Sequence, residues 1–155
     1  MSSGTRQLFF EDLTIGLRVT GVPRRLTAKD FADFAALTGD AHPIHYDPAY
    51  AASSRFGRCV AHGLLLTSLT ALGASPLSAQ LHDSMVALLG QTTRFLLPAF
   101  VDDTLVATHE VADRQMREGK LSGRVRFAIA LRRGDQIILD GHHDYAIRLK
   151  AQKST

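Results

Sequence analysis

Val60-Ala61-His62-Gly63-Leu64-Leu65-Leu66-Thr67-Ser68-Leu69-Thr70-Ala71-Leu72 is the longest apolar-rich stretch of the chain. Its apolar residues fall on nearly every side of a helical wheel. His62, Gly63, Thr67, Ser68 and Thr70 interrupt it, and it is far too short for a membrane span. The spacing predicts a helix over 62–72 that is buried on most sides. Downstream of Ser84 the hydrophobic period changes to two. Val125, Phe127, Ile129 and Leu131 alternate with Arg124, Arg126, Ala128 and Ala130, as in a strand with one core face. Arg133-Gly134-Asp135 reads as a hairpin turn into a strand over 136–139, and Tyr145, Ile147 and Leu149 alternate again after Gly141, where a bulge is expected. Further strands fit 85–97 and 104–111, with an early one over 17–24. Upstream of the buried helix, Phe31, Phe34, Ala35 and Leu37 keep helical spacing between Thr27 and Thr38. Thr27 and Asp30 are placed to cap that helix and Gly39 to end it. A strand, two helices and then several antiparallel strands imply an α+β architecture, a sheet wrapped around a central helix.

The 155 residues suit one domain, with 45% hydrophobic and 21% charged residues, as in ordinary globular proteins. No linker or repeat divides them, and the ends, 1–6 and 151–155, are expected to fray. The single cysteine, Cys59, excludes an intramolecular disulfide and any mainly thiolate zinc site; beside Val60 and Ala61 it reads as a small core residue. Leu8-Phe9-Phe10 is too short for the apolar core of a signal peptide, so a cytoplasmic protein is expected. The net charge of +3 comes from scattered arginines without a basic run, which argues against nucleic acid as a partner.

The residues able to do chemistry cluster in Thr38-Gly39-Asp40-Ala41-His42-Pro43-Ile44-His45-Tyr46-Asp47 and in Phe56-Gly57-Arg58-Cys59-Val60-Ala61-His62-Gly63. Asp40 and His45 lie five positions apart across a stiffening proline, on a loop, the setting of many acid–base pairs. The same spacing also fits an aspartate capping backbone amides beside a structural histidine. Gly63 opens the buried helix, where unpaired N–H groups meet the positive dipole end and a ligand can approach closely. A glycine there equally permits tight helix–sheet packing. His42, His45, Asp47 and His62 make a conceivable ligand set, but Pro43 breaks any helical face and no H-E-x-x-H pattern occurs, so no metal is expected. His142-His143-Asp144, in a strand, reads as an exposed edge or turn rather than a ligand cluster. Ser53, Ser54 and Ser68 lack a nucleophile-elbow setting.

Gly39-Asp40-x-His42-Pro43-Ile44-His45-x-Asp47, Phe56-Gly57 and Ala61-His62-Gly63 together resemble the signature of MaoC-like dehydratases and (R)-specific enoyl-CoA hydratases. The resemblance extends to Phe9-Glu11-Asp12-Leu13, to Arg94-Phe95-Leu96-Leu97-Pro98 and to Asp103-Thr104-Leu105. It implies a hotdog fold, an antiparallel sheet curled around a long central helix and usually paired into dimers. It also implies hydration or dehydration of an acyl thioester carried on coenzyme A or on acyl carrier protein. By the same resemblance Asp40 and His45 hold a water, His45 takes its proton, Asp40 supplies a proton to the α-carbon, and the Gly63 N–H is the oxyanion hole. Substrate contacts are expected from His42, Pro43, Ala61, His62 and Arg94. No cofactor is required. The family often has Asn where this chain has His42, and many members carry a polar residue where it has Ala71. Arg55, Arg58 and Arg94 are candidates to meet phosphate or a substrate carboxylate.

Two other readings share the fold. A hotdog thioesterase would need a carboxylate, typically on the central helix, and 62–72 contains neither Asp nor Glu. A non-catalytic thioester-binding domain need not keep both Asp40 and His45.

Overall fold

The computed structural model describes residues 5–116 and 118–151. The expectation that 1–6 and 151–155 fray therefore falls mostly outside the described residues. The sheet has six strands: β1 (Arg18–Thr20), β2 (Arg24–Arg25), β3 (Met85–Phe95), β4 (Thr104–Gln115), β5 (Ser122–Arg133) and β6 (Gln136–Arg148). The order is β1-β4-β5-β6-β3, with β2 also paired to β4, and every pairing is antiparallel. The helices are α1 (Ala28–Thr38), α2 (Pro48–Ala52), α3 (Gly63–Ser68) and α4 (Leu77–Gln80).

The inward faces of the long strands follow the two-residue period. Val125, Phe127, Ile129 and Leu131 of β5 are buried, as are Leu105, Ala107 and Val111 of β4 and Leu139, Tyr145 and Ile147 of β6. They form one cluster with Phe31 of α1, Leu65 and Leu66 of α3, and Leu77 of α4. This is the expected α+β, hotdog arrangement of a sheet around a helix. On the outer face of β4, β5 and β6 charged side chains pair across the strands. Arg126 binds Asp144 through two bonds of 2.7 Å, and Arg124 bridges Asp113 and Asp144.

Local chemistry explains the boundaries. The Thr27 side chain accepts from the Asp30 N–H while Asp30 accepts from the Thr27 N–H, so α1 begins in the expected capping box. Gly39, at φ 76°, ends it in the left-handed conformation. Leu37, expected on the apolar face, is instead exposed. The two-residue turn Gly134-Asp135 joins β5 to β6, as read from the sequence.

Other expectations are corrected. The helix over 62–72 is only six residues long and stops at Ser68. Thr67, Ser68 and Thr70 hydroxyls donate to carbonyls three or four residues back, competing with the helical ladder. A 3-10 turn, Leu72–Ala74, follows. The early strand over 17–24 splits into two short pieces at Gly21-Val22-Pro23, where proline can donate no ladder bond. β4 runs on to Gln115 past a register shift between Val111 and Asp113. β6 passes through Gly141 without a bulge. The glycine is needed there because a Cβ would strike the Thr92 carbonyl oxygen at 2.0 Å. His142-His143-Asp144 lies in a strand, as expected, but His143 is not exposed: it faces inward and is only 3% exposed.

His143 shares the core with His109, whose Nε2 donates to the Thr70 carbonyl at 2.9 Å. Nδ1 of each ring is buried without a partner. Burial, then neighbouring His109 and His142, pushes the His143 imidazole down to about 4. Burial lowers His109 as well. In the unfolded chain both titrate near the ordinary imidazole value, about 6.5. The unfolded state thus binds more protons between that value and the folded one. Stability from this pair is complete above pH ~6.5 and lost as pH falls toward 4. Denaturant melts from pH 7.5 to 4.5 are expected to lose about 3 kcal/mol through His143 alone, and His143→Leu should flatten that slope.

Candidate active site

Asp40 follows the C-cap of α1, and His45 closes a 3-10 turn, Pro43–His45, that starts at Pro43. Asp47 caps α2 by accepting from the Ala49 and Tyr50 N–H groups, which explains its place in the motif. His42 caps the 3-10 turn: its Nδ1 accepts from the Ile44 N–H at 3.2 Å, and its ring stands edge-on to His45.

The decisive bond is made by His45. Its Nδ1 lies 2.6 Å from the Val60 carbonyl oxygen, which can only accept. Nδ1 therefore carries the proton, and Nε2 is left with a free lone pair. Val60 and Ala61 are tied in turn to the loop after β3, by the Val60–Phe100 bridge and by the Ala61 N–H donating to Ala99. The chain then enters α3 at Gly63, with His62 as its N-cap and no side chain capping the first turn.

Asp40, His45 and His62 each bring a ligand-type atom within 4.8 Å of the others. One nitrogen of each histidine is engaged: His45 Nδ1 by Val60, and His62 Nε2 by the Tyr46 hydroxyl and the Asp40 carbonyl. A cation taking His62 Nε2 would have to break the bonds that nitrogen makes. His45 Nε2 has no hydrogen-bond partner among the described residues, and the Asp40 carboxylate accepts from the His42 N–H at 3.4 Å. The Asp40 side chain is 52% exposed in the single chain.

His45 and Gly63 line one cavity of about 370 Å³. Its other walls include Ile44, Val60, Leu66, Phe95 and Leu97, and Arg55 stands at it. The Phe95 ring packs on Gly63, and a Cβ there would meet it at 2.9 Å. A second cavity of about 510 Å³ also reaches His45 and is lined by Tyr46, Arg58, half-buried Cys59 and Phe100. The structure thus brings Asp40, His45, His62, Ala61 and Gly63 together, with His42 and Pro43 in the supporting turn. Arg94 lies apart, on the outer sheet face, with its guanidinium bound twice to Asp140.

Residues 13–131 match the family model described as the MaoC like domain. The chain belongs to the MaoC-like family. Among curated MaoC-like relatives, a 3-hydroxybutyryl-CoA dehydratase of Methylorubrum extorquens is 33% identical over 136 residues, 88% of this chain and 82% of its own length. An (R)-specific enoyl-CoA hydratase of Aeromonas caviae is 39% identical over 110 residues, covering 71% and 78%. A solved structure described as a monoamine oxidase regulatory protein from Archaeoglobus fulgius superposes with TM-score 0.88 at 31% identity, over 96% of this chain and 99% of that one.

Tyr46 and Phe95 were not singled out by sequence reasoning. Tyr46 sits inside the quoted motif beside His45. Phe95 is visible only through its contact with Gly63, across the fold. In Gly63→Ala the struck ring is half exposed and free to turn, so a cooperative melt should persist while Phe95 moves. A crystal structure of the variant checks this, and an unmoved Phe95 would contradict the packing.

Proposed function

We propose that this MaoC-like protein is a hydro-lyase that adds water to an enoyl thioester and removes it from the 3-hydroxyacyl form. The carrier is coenzyme A or acyl carrier protein. The observation that carries the reading is the His45 tautomer: Nδ1 is taken by the Val60 carbonyl, which leaves Nε2 for chemistry on a ring close to Asp40 and at a cavity shared with Gly63. The names of the curated relatives, a dehydratase and an enoyl-CoA hydratase, support the same reaction class.

In hydration, His45 Nε2 takes a proton from water as its oxygen attacks the β-carbon. The C=C electrons move toward the α-carbon and the thioester oxygen. The Gly63 N–H, unpaired at the start of α3, donates to that oxygen as charge develops. Asp40 in its acid form delivers a proton to the α-carbon. Return of the His45 proton to Asp40, relayed by water, resets the pair, and dehydration runs the steps in reverse. Arg55 and Arg58, at the two cavities, are placed to meet carrier phosphates.

The free edge of β3 favours a homodimer. Val86, Leu88 and Leu89 are exposed there, and the unpaired edge is a template for another strand. Light scattering is expected to give twice the chain mass, and Leu88→Lys to shift it toward the monomer. A monomer at micromolar concentration would overturn the pairing.

The experiment that tests the activity follows enoyl absorbance with crotonyl-CoA and longer or branched enoyl-CoAs, alongside a thiol reagent. Loss of absorbance without thiol release is expected, reduced about 1,000-fold in Asp40→Asn and in His45→Ala. Thiol release would mean a thioesterase, and unchanged turnover in either variant would remove the acid–base pair.

A further inference from the structure

His62 is buried, 3% exposed, and touches both His45 and Asp40 without lining the cavity that His45 shares with Gly63. Its ring stacks on His45 with centroids 3.6 Å apart and planes 24° from parallel. Its Nε2 lies 3.1 Å from the Asp40 carbonyl oxygen and 2.8 Å from the Tyr46 hydroxyl. The carbonyl only accepts, so Nε2 carries the proton. The Tyr46 hydroxyl, 2.9 Å from the same carbonyl, donates to it and accepts from His62. One peptide oxygen is thereby gripped by two donors, and that peptide belongs to the residue bearing the carboxylate.

The opposite nitrogen, Nδ1, is buried and has no hydrogen-bond partner among the described residues. A proton there would place a charge where no acceptor waits. The groups facing His62 are His45 and Tyr46 from the 3-10 turn segment, Asp40 from the loop, and the Phe34 ring from α1 at 4.7 Å. Burial first, and His45 second, lowers its pKa, against the Asp40 carbonyl and carboxylate. A neutral ring is therefore the one on which His45 stacks, and it adds no repulsion when His45 takes up its proton.

We propose that His62, neutral and protonated on Nε2, is a positioning residue that with Tyr46 holds both halves of the pair: His45 through its ring face and Asp40 through its peptide carbonyl. The inference rests on the hydratase reading for its catalytic consequence, but the lock itself is a property of the free protein. It replaces the substrate contact expected of His62 from the sequence.

The test uses three variants of the full chain, each checked by circular dichroism and thermal melting. His62→Phe keeps a ring and loses the N–H, His62→Gln keeps a donor and loses the ring, and Tyr46→Phe removes one hydroxyl. A displacement of about 1 Å in the pair predicts roughly a 100-fold loss of kcat in His62→Phe, with KM for crotonyl-CoA changed less than about threefold. His62→Gln and Tyr46→Phe should lose less, about tenfold, again in kcat. Ring 15N NMR of the wild type is expected to show His62 neutral with the proton on Nε2 at pH 7. A folded His62→Phe with wild-type kcat, a loss confined to KM, a proton on Nδ1 or a charged ring at pH 7 would each overturn the proposal. Should His62→Phe not fold, an unchanged kcat in Tyr46→Phe would overturn it equally. A wild type that shows the expected NMR signature but no turnover would sink the hydratase reading while the lock stands.

Discussion

Two buried residues, Val60 and Ala61, stitch together three stretches that are distant in sequence. The Val60 carbonyl accepts from His45, the Val60 N–H donates to Ile44, and the Ala61 N–H donates to Ala99 beyond β3. Both residues are under a tenth exposed, so their backbone groups must find partners inside the protein. Satisfying them fixes the 3-10 turn against the sheet and delivers the chain into α3 at a set height. The His45 tautomer, the placing of the Gly63 amide and one wall of the cavity between them all follow from this stitch.

Charge is distributed to suit that arrangement. Formal ion pairs stand on the outer sheet face and at the ends, where Arg124, Arg126, Asp113 and Asp144 remain partly hydrated. Inside, the polar groups are histidines and hydroxyls. His62, His109 and His143 each leave Nδ1 unpaired in the core. Burying an imidazole costs far less when it is neutral, and an orphaned lone pair costs less than an orphaned charge. The same economy gives the candidate active site a buried imidazole, His62, stacked on His45.

Much of this was legible in residue order. The β5 alternation, the Thr27–Asp30 capping box, the Gly39 stop and the Gly134-Asp135 turn are local devices, each set by nearest neighbours along the chain. The motif from Asp40 to Gly63 was legible for the same reason, since a turn of fixed length holds its first half. What failed was whatever depended on competition between distant partners. The central helix ended early because Thr67, Ser68 and Thr70 bonded back to the main chain, and His143 went inward because Gly141 let β6 run straight against β3. Nor does residue order show that Arg94 pairs with Asp140, its cross-strand partner.

The sequence by itself determined the α+β class, the helix and hairpin boundaries with local signals, and membership in a family through a motif of closely spaced side chains. Only the tertiary structure decided which nitrogen of His45 is free and where Arg94 points. It also decided that His62 and Tyr46 both grip the Asp40 carbonyl. Those outcomes rest on backbone carbonyls and cross-strand neighbours, and a carbonyl is the same at every position of a sequence until folding gives it a place.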